Sequence, residues 1–209
     1  LGDGCEYRVI AFSSEEKAKK AYEEYRLFTD DVYLYPARDL LFYYADIKGK
    51  VLTDQRMQVL RALIEKEEGS SVTVITTMDA FLDGLPHPGE TRGARICAAG
   101  GDVMDLTEFE ERLASMGYER ESQIEGPGQF AVRGGIVDVF PLTEELPVRI
   151  ELWGDEIDSI RSFDVESQRS VENLSDITIY PASENWGDGL KTVSFLEYFP
   201  KEKSLLFLD

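Results

Sequence analysis

The spacing of apolar positions changes several times along this chain, and each change marks an element. Residues 7–12, YRVIAF, form an apolar run with the length of a buried strand. In the next stretch, SSEEKAKKAYEEYRLF, Ala18, Ala21, Tyr22, Tyr25 and Phe28 recur at helical intervals behind Ser13 and Glu16, which stand at capping-box spacing. VYLY at 32–35 reads as a second strand stopped by Pro36, and a helix over 53–68 turns Met57, Leu60, Leu63 and Ile64 inward and ends at Gly69. SVTVITT at 71–77 is a third strand, followed by a short helix in MDAFLDGL. Strands alternating with helices predict a parallel, doubly wound sheet.

The rhythm changes after GLPHPGETRG at 84–93, a Gly/Pro-rich stretch expected to be a crossing loop between modules. ARICAAG reads as a strand, and LTEFEERLASMGY as a helix with Thr107 and Glu110 as a capping box and Gly117 at its end. The chain then runs through ERESQIE, QFAVR, IVDVFP, VRIELW, EIDSIRSF and ITIYP, short strands joined by short turns, which predict an antiparallel sheet. The apolar SLLFLD at the end needs a strand to pair with, and the parallel sheet of the first module is the expected place. The fold class is therefore α/β, a parallel-sheet domain with an inserted α+β domain built on an antiparallel sheet. The expected domains are 1–92, an insertion at 93–183, and a return segment at 184–209.

Composition narrows the function. The 209 residues include 41 acidic and 22 basic side chains, a formal net charge of -19, which disfavours broad electrostatic wrapping of nucleic acid. Cys5 and Cys97 form no CxxC pair, and two idle thiols in a reducing compartment are expected. No apolar run reaches the roughly 18 to 20 residues of a membrane span, and LGDGCEYRVIAF lacks a signal-peptide pattern. A soluble, cytoplasmic protein without a membrane partner is the expectation.

Several chemistries lack their residues. A phosphate-binding loop needs G-x-x-x-x-G-K-[ST], and KGKV at 48–51 is the nearest approach, with Tyr44 in place of the first glycine and Val51 in place of the hydroxyl. His87, between two prolines, is the only histidine, so a histidine triad or multi-histidine metal site cannot form. Asp155, Glu156 and Asp158 could supply an acid and a base, but with 41 acids such a cluster reads as a solvated turn. No catalytic residue, cofactor or metal ligand is assigned.

The informative stretch is GQFAVRGGIVDVFP, residues 128–141. Gly134 and Gly135 permit a tight hairpin or bulge in a strand-forming run, which would present Arg133 on a sheet edge. Arg120 opens the preceding strand and would reach the same face if the two strands are adjacent. Two such arginines on an anionic surface would suit bidentate pairing with a partner's carboxylates. The alternative is that each neutralises a nearby acid, such as Glu119, Glu121 or Asp138. For Arg120 the residues favour that alternative, and for Arg133 the two readings are balanced.

These residues also carry a resemblance. GQFAVRGGIVDVFP, VRIELWGDEIDSIRSFDVESQRSVE and ITIYPASE, together with YPARD, DQRMQVLRAL and VTVITTMDAF, resemble the N-terminal UvrB-homology region of bacterial transcription-repair coupling factors and, more loosely, the excision-repair protein UvrB. The resemblance implies a degenerate helicase-like α/β domain with an inserted domain that docks onto UvrA. Arg120 in YER and Arg133 in FAVRG match two arginines of the UvrA-recognition motif of UvrB, and Ala131 replaces a third. Arg120, Arg133 and Phe140 are thus the expected UvrA-binding residues, on a surface expected to be covered in the intact protein until its motor engages. The resemblance further implies that RNA polymerase, double-stranded DNA, and ATP with magnesium belong to other domains of a longer parent. UvrB's long aromatic hairpin has no room after YPARD, so lesion clamping is not expected. The short join at ENWGDGLKTVSF and the start at Leu1 suggest a fragment with a deletion or missing loop around 186–191. The rival reading is the nucleotide-binding half of an ATP-dependent DNA translocase that contacts DNA directly.

Overall fold

The computed structural model describes residues 5–38, 46–184, 186 and 189–209, and divides the chain into two compact units, Leu1–Gly89 with Leu190–Asp209, and Glu90–Gly189. The first begins β1 (Tyr7–Phe12), α1 (Glu15–Tyr25), β2 (Val32–Tyr35), α2 (Asp46–Glu65) and β3 (Val72–Thr77), then passes through a single 3-10 turn at Asp79–Leu82 into β4 (Gly84–Pro86). β1 and β2 both pair in parallel with β3, because α1 and α2 carry the chain back to the start of the sheet each time. α1 buries Ala18 against Val32, Leu34 and Ile75 on one face. On the other, the Tyr35 ring stacks on Phe195 at 3.9 Å and lies under the buried Arg56 guanidinium at 4.2 Å. Arg56 also donates to the Pro36 carbonyl and the Asp83 carboxylate at 2.6 and 2.8 Å.

Local details differ from the sequence reading. Ser14, not Ser13, caps α1, accepting from the Lys17 amide at 3.4 Å. The apolar stripe of α1 ends at Tyr22, and Tyr25 and Phe28 are exposed. α2 starts before residue 53 and stops at Glu65, short of Gly69, with Met57, Leu60, Leu63 and Ile64 buried as expected. The 84–93 stretch holds β4 and a short helix α3 (Pro88–Ala94), since Pro88 suits a first helical turn. The readings that rest on residues 39–45, on the side chains of 46–50, and on 185, 187 and 188 lie outside the described residues: the missing aromatic hairpin, the failed phosphate loop and the short join.

The second unit contains β5 (Ile96–Ala99), α4 (Leu106–Ser115), β6 (Glu119–Arg120), β7 (Gln129–Arg133), β8 (Ile136–Val139), β9 (Val148–Trp153), β10 (Glu156–Phe163), β11 (Ser170–Leu174) and β12 (Asp176–Ile179). β6 to β11 form one sheet in chain order, antiparallel except where the two-residue β6 runs parallel to β7. β12 pairs instead with β5. The strand expected over 119–125 shrinks to Glu119–Arg120, while Ile124 is buried from a loop. Asp105 rather than Thr107 caps α4, accepting from the Glu108 amide at 3.0 Å.

Phe130, Val137, Val139, Val148, Ile150 and Ile160 cover one face of the large sheet and pack with Phe109, Leu113 and Met116 of α4 and with Ile96 and Ile177 of the small sheet. This alternation leaves the opposite face to the intervening residues.

The chain then returns through β13 (Thr192–Ser194), which pairs with β4, and β14 (Ser204–Leu208), which lies parallel to β1 at the edge of the four-stranded sheet. Glu6 clasps this return: its carboxylate meets Lys203 at 2.7 Å and Lys66 at 2.8 Å. β14 is less buried than its composition suggests, with Leu205, Leu206, Phe207 and Leu208 exposed.

Candidate functional site

The outer face of the six-stranded sheet is ordered by strand register. Arg133 pairs with Ile136 across the two-glycine β7–β8 hairpin, where Gly134 has φ +61° and a Cβ on Gly135 would stand 3.0 Å from the Leu152 carbonyl oxygen. The glycines are therefore required by the turn and by the close approach of β9. One row down, Ala131, Asp138, Arg149 and Arg161 are consecutive register partners across β7, β8, β9 and β10.

Asp138 is the centre of this row. Its side chain is 2% exposed and accepts from Arg149 Nε at 2.6 Å, Arg149 Nη2 at 2.9 Å and Arg133 Nη2 at 2.6 Å. Arg149 is in turn held over the Phe163 ring at 4.4 Å and donates to Gln168 Oε1 at 3.0 Å. Gln168 takes the left-handed conformation (φ 58°), rare outside glycine, in the turn that aims its amide at Arg149. The hydrogen bonds that Arg149 donates to Asp138 hold its guanidinium above the ordinary arginine range, against the burial that lowers it. Arg161 pairs with Glu151 on the same face.

The fork of Arg149 already engages both oxygens of Asp138, so Arg133 is the surplus cation of the row: three guanidinium groups face the two carboxylates of Asp138 and Glu151. Its side chain is 46% exposed, and its remaining guanidinium donors can take a visitor's carboxylate. β6 covers only the first two residues of β7, which leaves the edge beside Arg133 open.

Phe140, 9% exposed, shares this face but is buried in a small cluster with Ile124, Ala131 and Phe163, so it supports the surface from beneath. Arg120 does not join it. β6 and β7 are adjacent, yet Arg120 is the register partner of Phe130, which faces α4, and its guanidinium pairs with Glu110 of α4 at 2.8 Å. The two expected arginines therefore point to opposite faces, and each meets an internal acid. Arg149, Arg161 and Gln168 were missed. The alternation in VRIELW, with Val148 and Ile150 inward, places Arg149 and Glu151 outward, but their meeting with Asp138 needs the register.

Other candidates are local. His87 Nδ1 accepts from the Gly89 amide at 3.1 Å. Cys97 is exposed beside Thr178 Oγ1 at 3.8 Å, and Cys5 is partly buried. No group of three or more histidine, cysteine or acidic side chains that could hold a metal occurs among the described residues. Nor is any helix among them long and apolar enough to cross a membrane. Where β1 passes to α1, the first helical turn carries Glu15 and Glu16, which would repel a phosphate at that helix end.

Residues 97–185 match the UvrB interaction domain family. The chain is 35% identical over 170 residues to the transcription-repair-coupling factor of Bacillus subtilis (strain 168), which covers 80% of this chain and 14% of that protein. It is 37% identical over 155 residues to the protein of the same name from Staphylococcus haemolyticus, covering 74% of this chain and 13% of the relative. The Staphylococcus aureus (strain MRSA252) relative is 36% identical over the same length and coverage. The chain thus spans about one seventh of the length of these relatives.

Proposed function

Since this chain belongs to the family of UvrB-homology regions found in transcription-repair-coupling factors, we propose that it is a non-catalytic adaptor that recruits UvrA through the outer face of its large sheet. In this reading the first unit is a degenerate helicase-like domain. The motor using ATP and magnesium, and the contacts with RNA polymerase and double-stranded DNA, reside elsewhere in a cytoplasmic parent.

The observation that carries the reading is Arg133: a half-exposed guanidinium beside an internal carboxylate whose two oxygens Arg149 already holds, inside the segment that matches the interaction-domain family. On docking, a UvrA carboxylate would take the free donors of Arg133 while Asp138 stays held by Arg149. Arg120, on the α4 side of the edge strand β6, would be touched only by a partner that wraps around that edge, and Phe140 would act by keeping the face in shape.

Calorimetry with purified UvrA tests the ranking. Losing the charge-assisted contact in Arg133→Ala should weaken binding by about 2 kcal/mol or more, and Arg120→Ala by less. Wild-type affinity in Arg133→Ala would refute the assignment.

A further inference from the structure

A second surface on the same unit is apolar where Arg133 is charged, and acidic where Arg133 is basic. Trp153, at the end of β9, is 85% exposed, and Val103 is 81% exposed. Both are bridge partners of Glu156, Trp153 through the β9–β10 hairpin and Val103 through an isolated antiparallel bridge. Bridge partners project to one side, so the three form a row, with the two apolar side chains about 10 Å apart, two strand spacings.

The row is rigidly set. The Met104 amide donates to the Asp155 carbonyl at 2.7 Å, the Ile157 amide to the Asp102 carbonyl at 2.9 Å, and the Gly101 amide to the Ile157 carbonyl at 2.8 Å. Gly154 closes the hairpin at φ +64°. The backbone that carries Trp153 is thus ordered in advance, and tryptophan is among the side chains that most often anchor a protein interface.

The charge around it is predominantly negative. Asp102, Asp105, Asp155, Glu156 and Asp158 are exposed, and neither 96–111 nor 150–160 contains a lysine or arginine. Among the described residues no ion pair reaches Asp155, Glu156 or Asp158. Val103 also borders a cleft of about 250 Å³ whose lining sets three acids, Asp102, Asp105 and Glu108, against the single basic residue Arg112.

We propose that the Trp153–Glu156–Val103 row is a docking surface for a protein partner whose contacting face is apolar and basic, separate from the Arg133 face. The partner's apolar side chains cover Trp153 and Val103 while its lysines or arginines meet the unpaired carboxylates, an arrangement that attracts a cationic face and repels an anionic one. UvrA docking through Arg133 needs the opposite charge, so the two surfaces can be told apart.

The test titrates the whole chain with a synthetic amphipathic lysine–leucine peptide and with its glutamate–leucine counterpart at physiological ionic strength. Calorimetry gives the affinity, and tryptophan emission in a Trp186→Phe background, where Trp153 is the remaining tryptophan, reports the contact. The lysine–leucine peptide should bind with a blue shift, Trp153→Ser should weaken it ~30-fold, Val103→Ser should weaken it less, and Arg133→Ala should leave it unchanged. Both surface positions are exposed, and circular dichroism confirms that the variants fold. Equal binding by Trp153→Ser, equal binding of the glutamate–leucine peptide, no binding of the lysine–leucine peptide, or loss of binding in Arg133→Ala would each overturn the proposal. None of these outcomes depends on UvrA.

Discussion

Arg133 and Arg149 touch the same carboxylate, yet removing them should have very different effects on stability. Arg149 supplies two of the three donors to Asp138, and the carboxylate is almost completely buried. In Arg149→Ala the aspartate keeps only a bond from a half-exposed partner, and breaking a buried ion pair in this way costs about 3 to 5 kcal/mol. In Arg133→Ala both Arg149 bonds remain. What is lost is one charge-assisted contact from a solvent-screened guanidinium, worth about 1 kcal/mol or less. Urea unfolding followed by tryptophan emission reads the difference, since the partly buried Trp186 lies in the same unit. With a slope of about 2 kcal/mol per molar, the midpoint should fall by about 1.5 M or more for Arg149→Ala and by about 0.5 M or less for Arg133→Ala. If Arg149→Ala fails to fold, Arg149→Lys, which keeps the charge but loses the fork, should fall between the two. Equal midpoints, or a larger loss in Arg133→Ala, would show that Arg133 is a structural arginine and refute the idea that it is free for a partner.

Other expectations follow from single positions. Hydrogen bonds from Lys203 and Lys66 hold the Glu6 carboxyl at about 2, below its ordinary 4.5. A depressed carboxyl adds stability above its ordinary range, so the clasp on β14 should weaken as pH falls from about 4.5 through 2, read as faster amide exchange in Leu205–Leu208, and Glu6→Gln should remove that dependence. Burial raises Asp54 to about 6, so it penalises the fold increasingly as pH rises from its ordinary 3.8 through 6; thermal melts of Asp54→Asn should show stabilisation at neutral pH that vanishes in acid. Phe140→Ala empties the cluster of Ile124, Ala131 and Phe163 and should cost about 3 kcal/mol in urea unfolding, because that site cannot fully collapse. Gly134→Ala places a side chain at φ +61°, and a loss of about 1 kcal/mol in the same assay is expected.

Much of the fold was legible because apolar period alone separates the two units. YRVIAF, VYLY and SVTVITT with their intervening helices yield the parallel sheet, and the short strands from QFAVR to EIDSIRSF yield the antiparallel one. What period could not settle was decided by competition at element ends. Two serines precede α1, and the one whose oxygen reaches the third amide onward wins the cap. Asp105 does the same for α4. SVENL lacks an apolar alternation because β11 is exposed along most of its length, so the edge strand went unseen.

The site was legible as residues but not as a surface. GQFAVRGG exposes Arg133 through the turn chemistry of its glycines. Whether Arg120 shares its face depends on strand register, and a one-residue shift moves a side chain through the sheet. The parallel pairing of β6, which sends Arg120 toward α4, has no mark in the sequence. The ladder of Asp138, Arg149 and Arg161 joins residues from three strands, and only their alignment brings them together.

The central claim, that a surplus guanidinium on the outer sheet face receives an acidic UvrA surface, is tested most directly by titrating UvrA into charge-graded variants at position 133. Arg133→Lys should bind more weakly than wild type, because the charge stays and the fork is lost. Arg133→Glu should abolish measurable binding while its urea midpoint stays near that of Arg133→Ala. Binding of Arg133→Glu at wild-type strength would contradict the account.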